Sequence, residues 1–209
     1  MYRNASRLFF LSILIMLFAC APKRVEIPVY EGKSLENALS SYKSISSIET
    51  TFSATFEKED TEIKGDGIVS IADSGNMSMR IYSFGFLVFE LSSKDGVIKS
   101  DPQIDKNKSA ILTYGLRDCL YWWDIKNYEV SENQNDYILL NNQRQVWINK
   151  KTMLPIKQVI FLDDGRELDI TYENPENFGV FWYPSKLRIE FAKYTVVLRL
   201  KDMSAIRRS

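Results

Sequence analysis

Histidine is absent from all 209 residues, and cysteine occurs only twice. The first absence removes the commonest metal ligand and the commonest general base near neutral pH, which weighs against many enzyme classes. Net charge is missing too. Lys+Arg and Asp+Glu both number 27, so no overall field draws the chain to nucleic acid, and no basic block interleaved with aromatics tracks a phosphate backbone. The Walker, GxGxxG, GxSxG, HExxH and CxxC patterns are absent as well. Two acidic pairs, Glu59-Asp60 and Asp163-Asp164, are the carboxylates that could be offered for catalysis. Both fall in hairpin-turn sequence, where Asp is favoured for backbone reasons and the carboxylates are solvated. No catalytic residue, metal ligand or cofactor is therefore expected. What the chain does have is apolar mass: at 45 % hydrophobic and 13 % aromatic, it can build one domain with a real core.

Arg3 and Arg7 precede an apolar run from Leu8 to Phe18 broken only by Ser12, and Leu17-Phe18-Ala19-Cys20 follows. The run is shorter than the ~20 residues a spanning helix needs, so residues 1–19 read as a signal peptide, with an uncleaved signal anchor as the alternative. The tetrapeptide resembles a bacterial lipobox, which implies that Cys20 is acylated and becomes the mature N-terminus. Two or three acyl chains, at about 0.8 kcal/mol per buried methylene, would hold the protein to a membrane. Ala21 rather than aspartate follows, which favours the outer membrane with the domain facing the periplasm. Residues 20–33, with Pro22, Pro28 and Gly32, read as an acylated tether, and residues 34–209 as the domain. Cys119 is then left without an intrachain partner. It lies in LTYGLRDCLYWW on the apolar face of a predicted helix, as a buried inert thiol rather than a nucleophile.

Within the domain, Ser34 is an N-cap candidate, and Leu35, Ala38, Leu39, Tyr42 and Ile45 recur at helical spacing, predicting an amphipathic helix laid on a sheet. Phe52, Ala54 and Phe56 alternate with polar residues, Lys58-Glu59-Asp60 turns the chain, and Ile63, Gly65, Gly67, Val69 and Ile71 share a face of the return strand. Two glycines on one strand face predict sharp curvature or a closely approaching element. A second helix is predicted over 109–123, with Leu112, Leu116, Cys119, Leu120 and Trp123 on its apolar face. Further strands follow over 128–131, 137–140, 145–149, 156–162, 166–173, 183–191 and 195–200, with turns at 133–135, 141–142, 163–165 and 174–177. No crossover helix separates successive strands except at 109–123, so the sheet is antiparallel. The predicted class is α+β: a strongly curved antiparallel sheet whose concave face is covered by two amphipathic helices.

The domain is organised around MSMRIYSFGFLVFELSSKDGVIKS, residues 77–100. Met77, Met79 and Ile81 alternate on one arm, and Leu87, Phe89 and Leu91 on the next. The joining turn, Ser83-Phe84-Gly85, carries a phenylalanine where Asn, Asp or Ser is usual. Such a ring either folds back onto Tyr82 or Phe86 or touches something apolar outside the domain. The adaptable methionines and the aliphatic set suit a cavity for alkyl chains, and they suit an ordinary core equally.

Taken together, the acylated cysteine, the amphipathic helix, the meander with RIYSFGFLVFEL, the helix-bearing insertion, and a C-terminal meander with INKKTMLPIKQVIFLDDGRELDITYEN and YPSKLRIEF resemble the LolA/LolB superfamily of lipoprotein carriers across the mature chain. The acylated cysteine and the turn segment are closer to LolB, the outer-membrane receptor, than to soluble LolA. The resemblance implies an unclosed half-barrel whose apolar cavity, lined by Met77, Met79, Ile81, Leu87, Phe89, Leu91, Leu116 and Leu120, accepts lipoprotein acyl chains from a periplasmic LolA-like carrier. It implies a monomer, and a protruding loop that helps insert the cargo into the outer membrane, with Phe84 at the position of the family's exposed leucine and Gly85 after it. An aromatic there, with no proline before it, departs from the family pattern. Two other readings compete: a lipoprotein scaffold of the same fold, or one binding a different lipid, which helices packed tightly onto the sheet would favour; and an enzyme, which the missing motifs disfavour.

Overall fold

The computed structural model describes residues 34–72, 75–95, 97–179 and 181–208. The predicted signal peptide, the tether and Cys20 lie outside the described residues. Helix α1 (Leu35–Lys43) starts as its sequence dictates: the Ser34 hydroxyl oxygen accepts from the Asn37 N–H at 3.3 Å, and Glu36 and Lys43 sit at the dipole ends that suit their charges. It ends earlier than the apolar spacing predicts. Ser44 caps it, donating its N–H to Ser40 and its hydroxyl to the Ser41 carbonyl at 2.7 Å. Ile45 is therefore not a helix residue but the buried first residue of β1, where a β-branched side chain is at ease.

Five strands follow: β1 (Ile45–Lys58), β2 (Thr61–Ala72), β3 (Met77–Ser83), β4 (Phe86–Lys94) and β5 (Val97–Asp101). After the helical segment come β6 (Glu129–Glu132), β7 (Asp136–Leu140), β8 (Arg144–Asn149), β9 (Pro155–Phe161), β10 (Glu167–Asn177), β11 (Trp182–Phe191) and β12 (Tyr194–Arg207). All twelve form one antiparallel sheet in the order β5-β4-β3-β2-β1-β12-β11-β10-β9-β8-β7-β6. The first and last strands meet in the middle, while β5 and β6 remain as open edges. The sheet is thus an unclosed half-barrel of the α+β class, as predicted.

Two strands run further than their sequence suggests. The predicted turn at 174–177 belongs to β10, with Pro175 opposite Pro184. Neither proline can donate to the ladder. Asn174 instead takes a positive φ of 53°, and its carbonyl accepts the Ser185 hydroxyl at 2.9 Å. Strand β12 continues past Leu200 because a register shift between Thr51 and Phe52 absorbs the mismatch, with the Thr50 hydroxyl donating to the Asp202 carbonyl at 2.6 Å.

The predicted second helix is three short pieces displaced toward the N-terminus: α2 (Lys106–Ala110), a π-helical turn (Ile111–Gly115) and α3 (Leu116–Leu120). Asp105 caps the start by accepting from the Lys108 N–H at 2.9 Å. At Gly115 the segment lies so close to β10 and β11 that a Cβ would stand 3.3 Å from both Leu168 and Ile189. Trp122 and Trp123 follow the helix rather than extend it, and both are buried. Tyr42 packs on their rings at 5.0 Å each, Phe181 joins at 6.2 Å, and Tyr121 and Tyr183 complete an aromatic cluster between α1, the helical segment and the sheet. Buried apolar side chains from Leu39 to Met203 gather into one core cluster.

The two strand glycines mark a close approach. A Cβ on Gly67 would lie 2.4 Å from the Phe52 ring, and one on Gly65 would lie 2.9 Å from an Ile81 methyl. Phe52 is 1 % exposed and cannot swing clear into solvent. Gly67→Ala is therefore expected to destabilise the domain by about 1–3 kcal/mol through overpacking, read as a lowered urea midpoint at unchanged m-value.

Candidate functional site

The β3–β4 hairpin closes with Ser83 opposite Phe86, leaving Phe84 and Gly85 as a two-residue turn with φ of 50° and 81°. This geometry wants Asn-Gly or Gly-Gly, since a left-handed φ is unfavourable for a large side chain. Phe84 thus accepts a conformational cost of about 1 kcal/mol or more. It gains no burial in return, because its ring is 100 % exposed; it does not fold back onto Tyr82 or Phe86. Beside it Phe86 is 74 % exposed, and Leu87 and Val88 are about half exposed. Strand β5 ends with Asp101 opposite Glu90, so residues 86–89 have a neighbour only on the β3 side. The hairpin end therefore stands clear of β5, with four apolar side chains exposed on it.

The residues predicted to line an acyl cavity separate into three groups. Met77, Met79, Leu91, Leu116 and Leu120 are all at most 4 % exposed and belong to the packed core. Ile81 and Phe89 face each other across β3 and β4 and are partly buried against that core. Leu87 does not share their face. A bulge between Ile81 and Tyr82 sets Leu87 opposite Tyr82, shifting it outward. The predicted cavity is not found at these residues, because the aromatic cluster and the close seating of Gly115 fill the space between helices and sheet. Ile81 and Phe89 are instead partly covered on the same sheet face as Phe56 and Ile63, which stand four residues further along β1 and β2 toward their turn.

Two surface pockets have linings that include none of those eight residues. The larger, about 710 Å³, opens among Lys106, Tyr114, Asn127, Gln143 and Arg166 over a charged floor. There Arg117 bridges Asp118 and Asp124, the latter at 2.8 Å, and Arg144 pairs with Asp118 at 3.4 Å and donates to the Asp124 carbonyl. Burial works against the Arg117 cation, but the two carboxylates outweigh it and hold its pKa above the ordinary value. This network ties the helical segment to β8. Sequence reading missed it, since charges in a buried network carry no periodic signature; Asp118, next to Cys119 on a largely buried helix, was the available signal. The smaller pocket, about 470 Å³, lies beside Phe84. Of the acidic turn pairs, Asp163 and Asp164 line the larger pocket, whereas Glu59 and Asp60 line neither; Glu59 bonds Lys193 and Asp164 bonds Arg166, each carboxyl held below its usual pKa by that hydrogen bond.

Cys119 is fully buried, with its thiol donating to the Leu116 carbonyl at 3.1 Å. Burial, and then the Asp118 carboxylate, push its pKa well above the ordinary thiol value. The native protein is expected to resist a thiol reagent at pH 8 and to react within minutes once unfolded in guanidinium; prompt labelling of the folded protein would show the thiol to be accessible.

Compared with solved structures, the chain shares its fold with a LolA superfamily protein from Nitrosomonas europaea, at 14 % identity over 85 % of this chain and 96 % of that one, with a TM-score of 0.53. It also matches a DUF1329 family protein from Desulfovibrio piger, at 12 % identity over 86 % of this chain and 94 % of the other, with a TM-score of 0.58. At such identities the likeness is one of fold. No protein-family model matches the sequence, and no curated protein matches it.

Proposed function

We propose that this chain is a LolB-like acceptor. In this reading it takes lipoprotein acyl chains from a periplasmic LolA-like carrier and helps insert them into the outer membrane, where an acylated Cys20 anchors it as a monomer. The observation that carries the reading is the hairpin end, where Phe84, Phe86, Leu87 and Val88 stand exposed together on a turn that disfavours phenylalanine. An apolar cluster kept in water at conformational cost is explained by a partner that is itself apolar. Each of these side chains would gain about 1.5–3 kcal/mol on full burial in a bilayer or against acyl chains. The half-barrel fold shared with a LolA superfamily protein supports the same reading.

The filled interior changes how acyl chains would be held. In place of a standing cavity, the partly covered pair of Ile81 and Phe89 offers an apolar surface adjoining the hairpin end. Delivery runs from one apolar surface to another, each giving about 0.8 kcal/mol per methylene, so net transfer needs neither nucleotide nor catalytic residue. A specific observation favours the scaffold reading as well: Gly115 seats the helical segment directly on Leu168 and Ile189, leaving the carrier to work by that open surface alone.

The two readings separate in one experiment. Residues 34–209 are expected to bind an apolar fluorophore that a fatty acid or a lipoprotein displaces, and Phe89→Asp is expected to weaken that binding at least tenfold. Phe84→Glu, at a fully exposed position, is expected to leave stability within about 0.5 kcal/mol and to keep uptake, yet to abolish delivery to liposomes. A folded protein that binds no probe leaves the scaffold.

A further inference from the structure

The larger pocket, about 710 Å³, opens where four connections converge: the α2 and π-helical turns with Lys106 and Tyr114, the loop after α3 with Asn127, the β7–β8 turn with Asn142 and Gln143, and the β9–β10 turn with Asp163. Most other charge in its lining is already paired. Arg117 pairs with Asp118 and Asp124, Arg144 with Asp118, Lys126 stands 3.8 Å from Asp124, and Arg166 bonds Asp164 at 2.6 Å. The six side chains named first, by contrast, have no hydrogen-bond or ion-pair partner among the described residues. They comprise one cation, one carboxylate, three amides and a phenol. Lys106 and Asp163 cancel in charge, while the amides and the phenol both donate and accept.

We infer that this pocket binds a neutral oligosaccharide, with the Tyr114 ring against a sugar face and the Asn127, Asn142 and Gln143 amides on its hydroxyls. This binding is independent of the hairpin and of acyl-chain carriage. A free ion gains little where the unpaired charges cancel. A hydroxyl, which donates one proton and accepts at two lone pairs, is met in both roles by a side-chain amide. A sugar ring also has an apolar face of C–H groups, and Tyr114, 52 % exposed on the π-helical turn, offers that face a flat ring with a polar tip. The volume is that of a small-molecule site. An extended peptide presents donors and acceptors too, but it binds by adding to a strand ladder, and the turns here have closed theirs. The Asn141 N–H donates to the Arg144 carbonyl at 2.9 Å, the Phe161 N–H to the Gln143 carbonyl at 2.8 Å and the Leu162 N–H to the Arg166 carbonyl at 2.9 Å. Side chains rather than backbone are what the pocket has to offer.

The test is calorimetric titration of the full chain, in a detergent without a sugar headgroup, with maltotriose and with chitotriose at low and high salt. At least one of the two is expected to bind saturably with a Kd of about 1 mM or tighter, and to bind equally at both salt levels because no net charge is engaged. Tyr114→Ala and the double variant Asn142→Ala/Gln143→Ala change exposed side chains on separate elements. Each is expected to keep the wild-type urea midpoint and to weaken binding at least about tenfold, while Tyr114→Phe, which keeps the ring, holds most of the affinity. Folded wild type that binds neither trisaccharide overturns the proposal, as does binding that salt erases or that both variants leave intact. An acetylated tripeptide amide that competes with the sugar at equal affinity assigns the pocket to peptide instead and overturns it too.

Discussion

The backbone carbonyl of Cys119 receives hydroxyls from Tyr172 on β10 and Tyr183 on β11, and the inner face of the half-barrel depends on that junction. Both tyrosines are buried, and burial raises their pKa values well above the usual phenol range, so each remains a neutral donor. A carbonyl near the end of α3 would otherwise be an unsatisfied acceptor in an apolar interior. Satisfied from the sheet, it fixes the height of the helical segment. Gly115 then removes the one side chain that would lift the segment away, and Trp122 and Trp123 drop into the space beneath α1.

That seating separates a packed base from an exposed apolar end. Where the helical segment covers the sheet, the inner face is dry and packed. Beyond its reach, Ile81 and Phe89 are only partly covered and the hairpin end is bare. The same strands thus run from rigid core to exposed apolar tip, and a rigid base is what lets a short hairpin present Phe84 at a defined distance from the sheet.

Much of this was legible from residue order. Period-two alternation located the strands, and the glycine pair left open sharp curvature or a close approach, of which Phe52 and Ile81 supply the second. The exposure of Phe84 was one of the two placements its turn sequence left open, and the exposed ring on a φ-positive residue decides between them. The misses have physical causes. Ile45 fits both a helical stripe and a strand, and only the cap at Ser44 decides. Pro175 reads as a turn until the Ser185 hydroxyl is seen to serve the Asn174 carbonyl. Leu87 changed faces because a bulge has no signature in alternating hydrophobicity. The apolar set of β3 and β4 could have lined a void or filled a core. Its composition is the same in either case, and what decided was the bulk of residues distant in sequence, Tyr42, Trp122 and Trp123.

The seam between β1 and β12 has a consequence for biogenesis. It joins positions some 160 residues apart, as between Ser46 and Ile206, and it runs down the centre of the sheet rather than along a border. A chain synthesised amino end first delivers one bank of this seam long before the other. Until the carboxyl end arrives, β1 presents a free edge bearing Ile48, Phe52 and Phe56, so that closure of the sheet is gated by completion of the chain.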